Sequence, residues 1–143
     1  MRQWLYALLL ACFALPSSAE QSIRMKDIEV HYSAFNSTFL TPQVAQSYQL
    51  TRNGYSAILN ISVLDNASLG KPAVEAQISG HARNLLGQTR PLQFRTIKEG
   101  QAIYYLAEFA ISHEENLTFD IDVSAGNKGA GKLRFTQKFY VQP

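Results

Sequence analysis

Three histidines, His31, His81 and His113, are the side chains of this sequence best suited to hold a metal ion or move a proton near neutral pH, and no two stand at a ligand spacing. A metal centre needs several donors on one point, usually seeded by a local HxH or HxxxH pair. Any site would therefore be assembled from distant segments, and Met25, His31 and His81 are the set that would suit copper. Asp120 and Asp122 are two residues apart, so both carboxylates point to one face of a strand. Such a pair can share a proton or hold calcium, but plain alternation on a solvent-facing strand gives the same spacing. Glu114-Glu115 falls in a turn and reads as solvated. No Gly-x-Ser-x-Gly elbow is present, and the glycines at 126–131 flank no lysine–threonine pair and precede a strand rather than a helix, which removes a phosphate loop. These residues name no catalytic group, no metal site and no cofactor.

Other stretches suit binding rather than catalysis. The run His31-Tyr32-Ser33-Ala34-Phe35-Asn36-Ser37-Thr38-Phe39-Leu40 leaves a strand and enters a loop while carrying three aromatics and several amide or hydroxyl groups. Loops of that composition at the end of a sandwich suit recognition, whereas Phe35, Phe39 and Leu40 would serve equally to plug the end of a core. Near the C-terminus Lys132, Arg134, Lys138 and Tyr140 share one face of a strand. That stripe could meet an anionic envelope component, or could guard a sheet edge against association. The ligand-binding candidates are accordingly His31, Asn36, Thr38, Tyr104 and Arg134.

The elements that would position these residues are strands. Period-two alternation separated by turn residues recurs over Arg24–Phe35, Ser56–Asp65, Ala73–Arg83, Pro91–Lys98, Gln101–Ile111, Leu117–Ser124 and Lys132–Val141. In Gln101–Ile111 both faces are apolar, Tyr104 and Leu106 opposing Tyr105 and Phe109, so that strand should be central and covered on both sides. Gly80 inside the third strand implies a bulge or a close backbone approach. Thr41-Pro42 begins the one departure, with threonine at an N-cap and proline at the first helical position, and predicts a short helix over 42–48. Val44 and Tyr48 would form its apolar face, over the outer face of the Tyr104 strand. The expectation is an all-β, immunoglobulin/fibronectin-like antiparallel sandwich of about seven strands over residues 20–143, without the cysteine pair and tryptophan of immunoglobulin domains.

Residues 1–19 read as a signal peptide. Arg2 precedes the apolar run Trp4–Leu15, and Pro16-Ser17-Ser18-Ala19 offers small residues for a cut after Ala19. Cys12, the only cysteine, gives a competing reading as a lipidated residue behind Leu9-Leu10-Ala11; Leu10 fits a lipoprotein box poorly, and the apolar run continues past the cysteine. After a cut at Ala19 no disulfide can staple the domain. The apolar run is too short to span a bilayer, and no later segment is long enough. The net charge of +2, or +1 once Arg2 is removed, argues against nucleic acid as the partner.

Three stretches, His31 to Leu40, Asn84-Leu85-Leu86-Gly87 and Glu99-Gly100-Gln101-Ala102-Ile103-Tyr104-Tyr105, together resemble a family of small exported gammaproteobacterial proteins known as domain of unknown function forty-four twenty-six. The resemblance extends over the whole mature chain and implies a Gram-negative periplasm. It supplies no catalytic or binding residue. The functional expectation is a non-enzymatic periplasmic module that binds a protein or a small ligand. The alternative is a metal-handling protein or enzyme whose site exists only in three dimensions. A pocket gathering two or more of His31, His81, Asp120, Asp122 and Glu99 would favour the alternative.

Overall fold

The computed structural model describes residues 21–142, so the expected signal peptide, its cut after Ala19 and the lipidation alternative at Cys12 lie outside the described residues. The elements are β1 (Gln21–Met25), β2 (Ile28–Asn36), α1 (Pro42–Ser47), β3 (Ser56–Asp65), β4 (Gln77–Asn84), β5 (Thr89–Leu92), β6 (Arg95–Glu99), β7 (Ala102–Ala110), β8 (Glu115–Ser124) and β9 (Ala130–Phe139), with short 3-10 turns at Ser37–Phe39 and Gly126–Lys128. They form two antiparallel sheets, a five-stranded one in the order β1-β2-β3-β7-β6 and a four-stranded one in the order β5-β4-β8-β9. The expected sandwich with one short helix is the observed architecture.

Among the described residues nine strands stand where about seven were expected, because two alternating runs are each divided. The run Arg24–Phe35 reverses at Lys26-Asp27, with Lys26 at φ 54° and Met25 paired to Ile28. The run Pro91–Lys98 belongs to both sheets: β5 pairs with β4, whereas β6 pairs with β7. A similar passage precedes β4, where Ala73 bridges Leu64 of the five-stranded sheet before Gln77 joins the other. Both sheets face one core, so a chain that crosses between them keeps the same inward side and the alternation carries no mark of the crossing.

That core joins Val30, Leu59, Ile61, Tyr105 and Phe109 of one sheet to Ala82, Leu117, Phe119, Ile121 and Leu133 of the other. Phe109 meets Phe119 edge-on at 5.3 Å and Phe139 at 5.4 Å, and Phe119 stacks on Phe135 at 4.6 Å. Each fully buried large side chain contributes about 1.5–3 kcal/mol. Gly80 is a close approach: an added Cβ would run into the backbone at Asp120 and Ile121.

The helix forms where its cap and proline placed it, the Thr41 hydroxyl accepting from the Val44 N–H at 3.2 Å. It covers the outer face of the five-stranded sheet, where Ala45 and Leu50 bury Ile58 and Leu106 beside Tyr48 and Tyr104. Val44 is exposed, and Ala45 makes the contact assigned to it. The Tyr48 hydroxyl donates to the Glu99 carboxylate and ties the connection down. With α1 outside and the main core inside, β7 is covered on both faces as expected, lying between β3 and β6.

Candidate functional site

Alternation places the predicted site residues on separate surfaces. His31 lies on the outer face of the five-stranded sheet, its Nε2 3.3 Å from Glu29. Glu29 also accepts from Lys71 at 2.9 Å, which holds its carboxyl below the usual carboxylate range. His81 lies on the outer face of the other sheet, in register with Asp120 and Arg134. Asp120 stands between them, 3.6 Å from the His81 Nε2 and 2.8 Å from the Arg134 Nε. Met25 is buried against Gly131. The copper set of Met25, His31 and His81 is therefore divided between two opposite faces and the core, because even-and-odd placement on each strand decides the face. Among the described residues no three His, Cys, Asp or Glu side chains converge on a point.

The remaining candidates have identifiable local work. Asn36 is buried, and its Nδ2 donates to the Tyr140 carbonyl at 2.6 Å, strapping β2 to the end of β9. The Thr38 carbonyl accepts from Arg52 at 3.3 Å. Tyr104 packs beneath α1. Lys132 pairs with Asp122 at 3.2 Å, and Lys138 stands 6.0 Å over the Tyr140 ring. A shallow hollow of about 470 Å³ includes Asp122, Lys132, Gln77 and Ser79, but none of His31, His81, Asp120 or Glu99.

The structure assembles a different feature at one end of the sandwich. There β2, β4, β7 and β9 finish and β3, β5 and β8 begin, so the connections around 37–41, 48–55, 85–88, 111–114 and 140–142 gather. Five large apolar or aromatic side chains project from them: Phe39 (72% exposed), Tyr55 (69%), Leu85 (81%), Leu86 (85%) and Tyr140 (47%). Several tips are braced from below. The Ser37 hydroxyl donates to the Asn53 carbonyl at 2.7 Å, and Asn53 Oδ1 accepts from the Tyr55 N–H at 2.8 Å. Asn84 Oδ1 accepts from the N–H groups of Leu86 at 3.0 Å and Gln88 at 2.9 Å, while Gly87 takes the positive φ of 83° that closes the hairpin. The Gln142 N–H donates to the Gly54 carbonyl at 3.1 Å.

Beneath these tips, Arg90 grips Glu115 through two hydrogen bonds of 2.8 Å. That contact is the largest influence on both groups, lowering the Glu115 carboxyl pKa and raising that of Arg90 against an opposing effect of burial on each, and the Ser112 N–H lowers Glu115 further. A shallow recess of about 480 Å³, lined by Tyr55, Ile111, Ser112, His113 and Val141, opens on the same end. His113 Nδ1 accepts from the Val141 N–H at 3.3 Å, and its ring meets Tyr140 edge-on at 5.9 Å. The geometry at this end offers braced apolar contact area.

Sequence reasoning found part of this end. The 31–40 run divides, with Phe35 and Leu40 in the cluster beneath α1 and Phe39 outside. Leu85 and Leu86 were missed as exposed tip residues, although two leucines at the tip of a hairpin are a legible anomaly where polar turn residues are usual.

The whole described chain has relatives in known structures. A family model described as Domain of unknown function (DUF4426) matches residues 22–142. The crystal structure of a DUF4426 family protein from Pseudomonas aeruginosa PAO1 is 38% identical, covering 90% of this chain and 100% of that one, with a TM-score of 0.77. FetP of uropathogenic Escherichia coli strain F11 shares the fold at 12% identity, covering 87% of this chain and 96% of that one with a TM-score of 0.57. Its copper-bound E46Q variant is similar at 11% identity, with 87% and 92% coverage and a TM-score of 0.56. No curated protein matches the chain. The family match runs through both sheets and includes every tip residue of the apolar end, and the chain belongs to the DUF4426 family.

Proposed function

We propose that the protein is a non-enzymatic interaction or ligand-binding module of the periplasm, working through the end that carries Phe39, Tyr55, Leu85, Leu86 and Tyr140. The observation that supports this reading is the collection of five exposed apolar or aromatic side chains from separate connections at one end. Scattered single hydrophobics are ordinary on a surface, but a grouped set marks a contact site. Braced loops on a rigid sandwich are the usual carriers of recognition. The signal-like segment Met1–Ala19 supports the periplasmic address.

The fold shared with FetP, of which a copper-bound variant is known, is what favours the metal-handling alternative. The separation of Met25, His31 and His81 counts against it. Affinity capture from native periplasm, with metal analysis of the same sample, tests both readings. Wild-type protein should retain a bound component that the Phe39→Ser/Tyr55→Ser variant loses. Copper retained near one equivalent per chain, with capture unchanged in the variant, would overturn the proposal.

A further inference from the structure

We infer that the apolar end docks on a phospholipid bilayer carrying anionic headgroups, a step that rests on the reading of this end as the working surface. Shape is the first argument. Leu85 and Leu86 stand almost free of the fold on a hairpin tip, and Phe39 and Tyr55 project from other connections, with a recess beside them that is shallow. Convex apolar tips leave a rigid protein partner or a small ligand little to enclose. A fluid interface, in contrast, closes around projecting side chains, and Leu, Phe and Tyr are residue types that settle at its headgroup boundary.

Charge is the second argument. Arg83, one residue before the end of β4, and Lys138, one residue before the end of β9, form no ion pair among the described residues. Arg52 donates to the Leu40 and Thr38 carbonyls rather than to a carboxylate. Arg90 and Glu115 cancel, and Glu114 faces His113 at 3.7 Å. The apolar tips are thus flanked by three cations without carboxylate partners among the described residues. At the opposite end Lys71, Lys98 and Lys128 each lie on a carboxylate, Glu29, Glu75 and Asp65, and, among the described residues, Lys26 alone of the turn cations there donates to a backbone carbonyl, that of Asn127. Apolar side chains at the tip with unpaired cations behind them complement an anionic bilayer, where insertion and headgroup attraction act together. Bracing adds to this, because tips fixed by Asn53 and Asn84 lose little freedom on contact.

Flotation of the purified protein with vesicles of phosphatidylethanolamine and phosphatidylglycerol tests the inference. The protein should float with these vesicles and stay behind with phosphatidylcholine alone. The Leu85→Ser/Leu86→Ser variant should partition on the order of tenfold less, with an unchanged melting curve. Arg83→Gln/Lys138→Gln should bind less and lose most of the salt sensitivity of the wild type. Absence of flotation, or flotation indifferent to the leucine variant, would overturn bilayer docking. If periplasmic capture still depended on Phe39 and Tyr55 in that case, the interaction-module reading would stand without it; if neither depended on this end, both would fall. A concentration-dependent dimer abolished by the leucine variant, without vesicle binding, would also overturn it in favour of a second copy of the chain.

Discussion

The two ends of this sandwich are closed by opposite means. At the end formed by the β1–β2, β3–β4 and β8–β9 connections, polar groups answer one another. Asp65 is buried and accepts from Lys128 at 2.7 Å, from the Ser68 hydroxyl at 2.8 Å and from the Ala67 N–H at 3.0 Å. The Asp27 N–H donates to the Lys128 carbonyl, and its own carbonyl accepts from the Asn66 N–H. Leu69 is exposed in the β3–β4 connection, a single apolar side chain without the company that Phe39, Tyr55, Leu85, Leu86 and Tyr140 keep. At the other end comparable bonds lie underneath, and the outermost atoms are hydrocarbon. The difference separates two uses of a loop. Polar closure consumes its hydrogen-bonding capacity inside the molecule and serves stability, whereas braced apolar tips keep contact free energy available for something outside.

The sharpest way to break this comparison is to disturb the polar closure. Gly129 sits where an added Cβ would run into the Met25 carbonyl, so Gly129→Ala should cost about 3 kcal/mol in urea unfolding. At the apolar end Gly87 has open space around it, and Gly87→Ala would meet no such collision, leaving only the strain of its positive φ.

Asp65→Asn comes next and should lower the thermal midpoint by several degrees, since Lys128 and Ser68 lose their shared carboxylate. The pH dependence has a definite sign. The Lys128 and Ser68 contacts hold the Asp65 pKa down at about 2, against an ordinary 3.8. A depressed carboxylate pKa contributes stability that is complete above the unfolded value and disappears as pH falls through the folded one. Wild-type stability should therefore decline between about pH 4 and about pH 2 more steeply than that of Asp65→Asn, as thermal scans across that window would record.

A smaller effect is expected from Asn84→Ala at the apolar end. Removing the acceptor for the Leu86 and Gln88 N–H groups should cost about 1 kcal/mol by urea unfolding. The smallest is that of Leu85→Ser/Leu86→Ser, which should leave stability within about 0.5 kcal/mol of wild type. A large loss there would show that the leucines serve the fold, and the contrast between the ends would fail.

Most of the architecture was legible because one physical rule generates it. Alternating side chains reveal a strand with one buried face, and Ile28, Val30, Leu59, Ile61, Phe119 and Ile121 obey the rule without exception. The helix was legible from Thr41 and Pro42, whose roles depend on adjacent backbone alone. The reversal at Lys26 was hidden because a residue pair without glycine or asparagine adopts the turn there. For the candidate site the sequence yielded composition but not assembly. Phe39 stood in a conspicuous run, whereas Tyr55, Leu86 and Tyr140 come to one end only through the order of strands in two sheets. His31 and His81 failed to meet for the same reason, each following its own strand to an outer face.

The two passages between sheets, one before β4 and one between β5 and β6, also bear on how the domain resists force. A sandwich whose sheets are joined only by loops can be parted like two leaves. Here peeling one sheet from the other would drag a continuous extended segment out of both hydrogen-bond ladders. The two passages couple the central parts of both sheets, so amide protection there should rise and fall together, and the apolar end is mounted on a platform that resists as one piece when its tips are pulled.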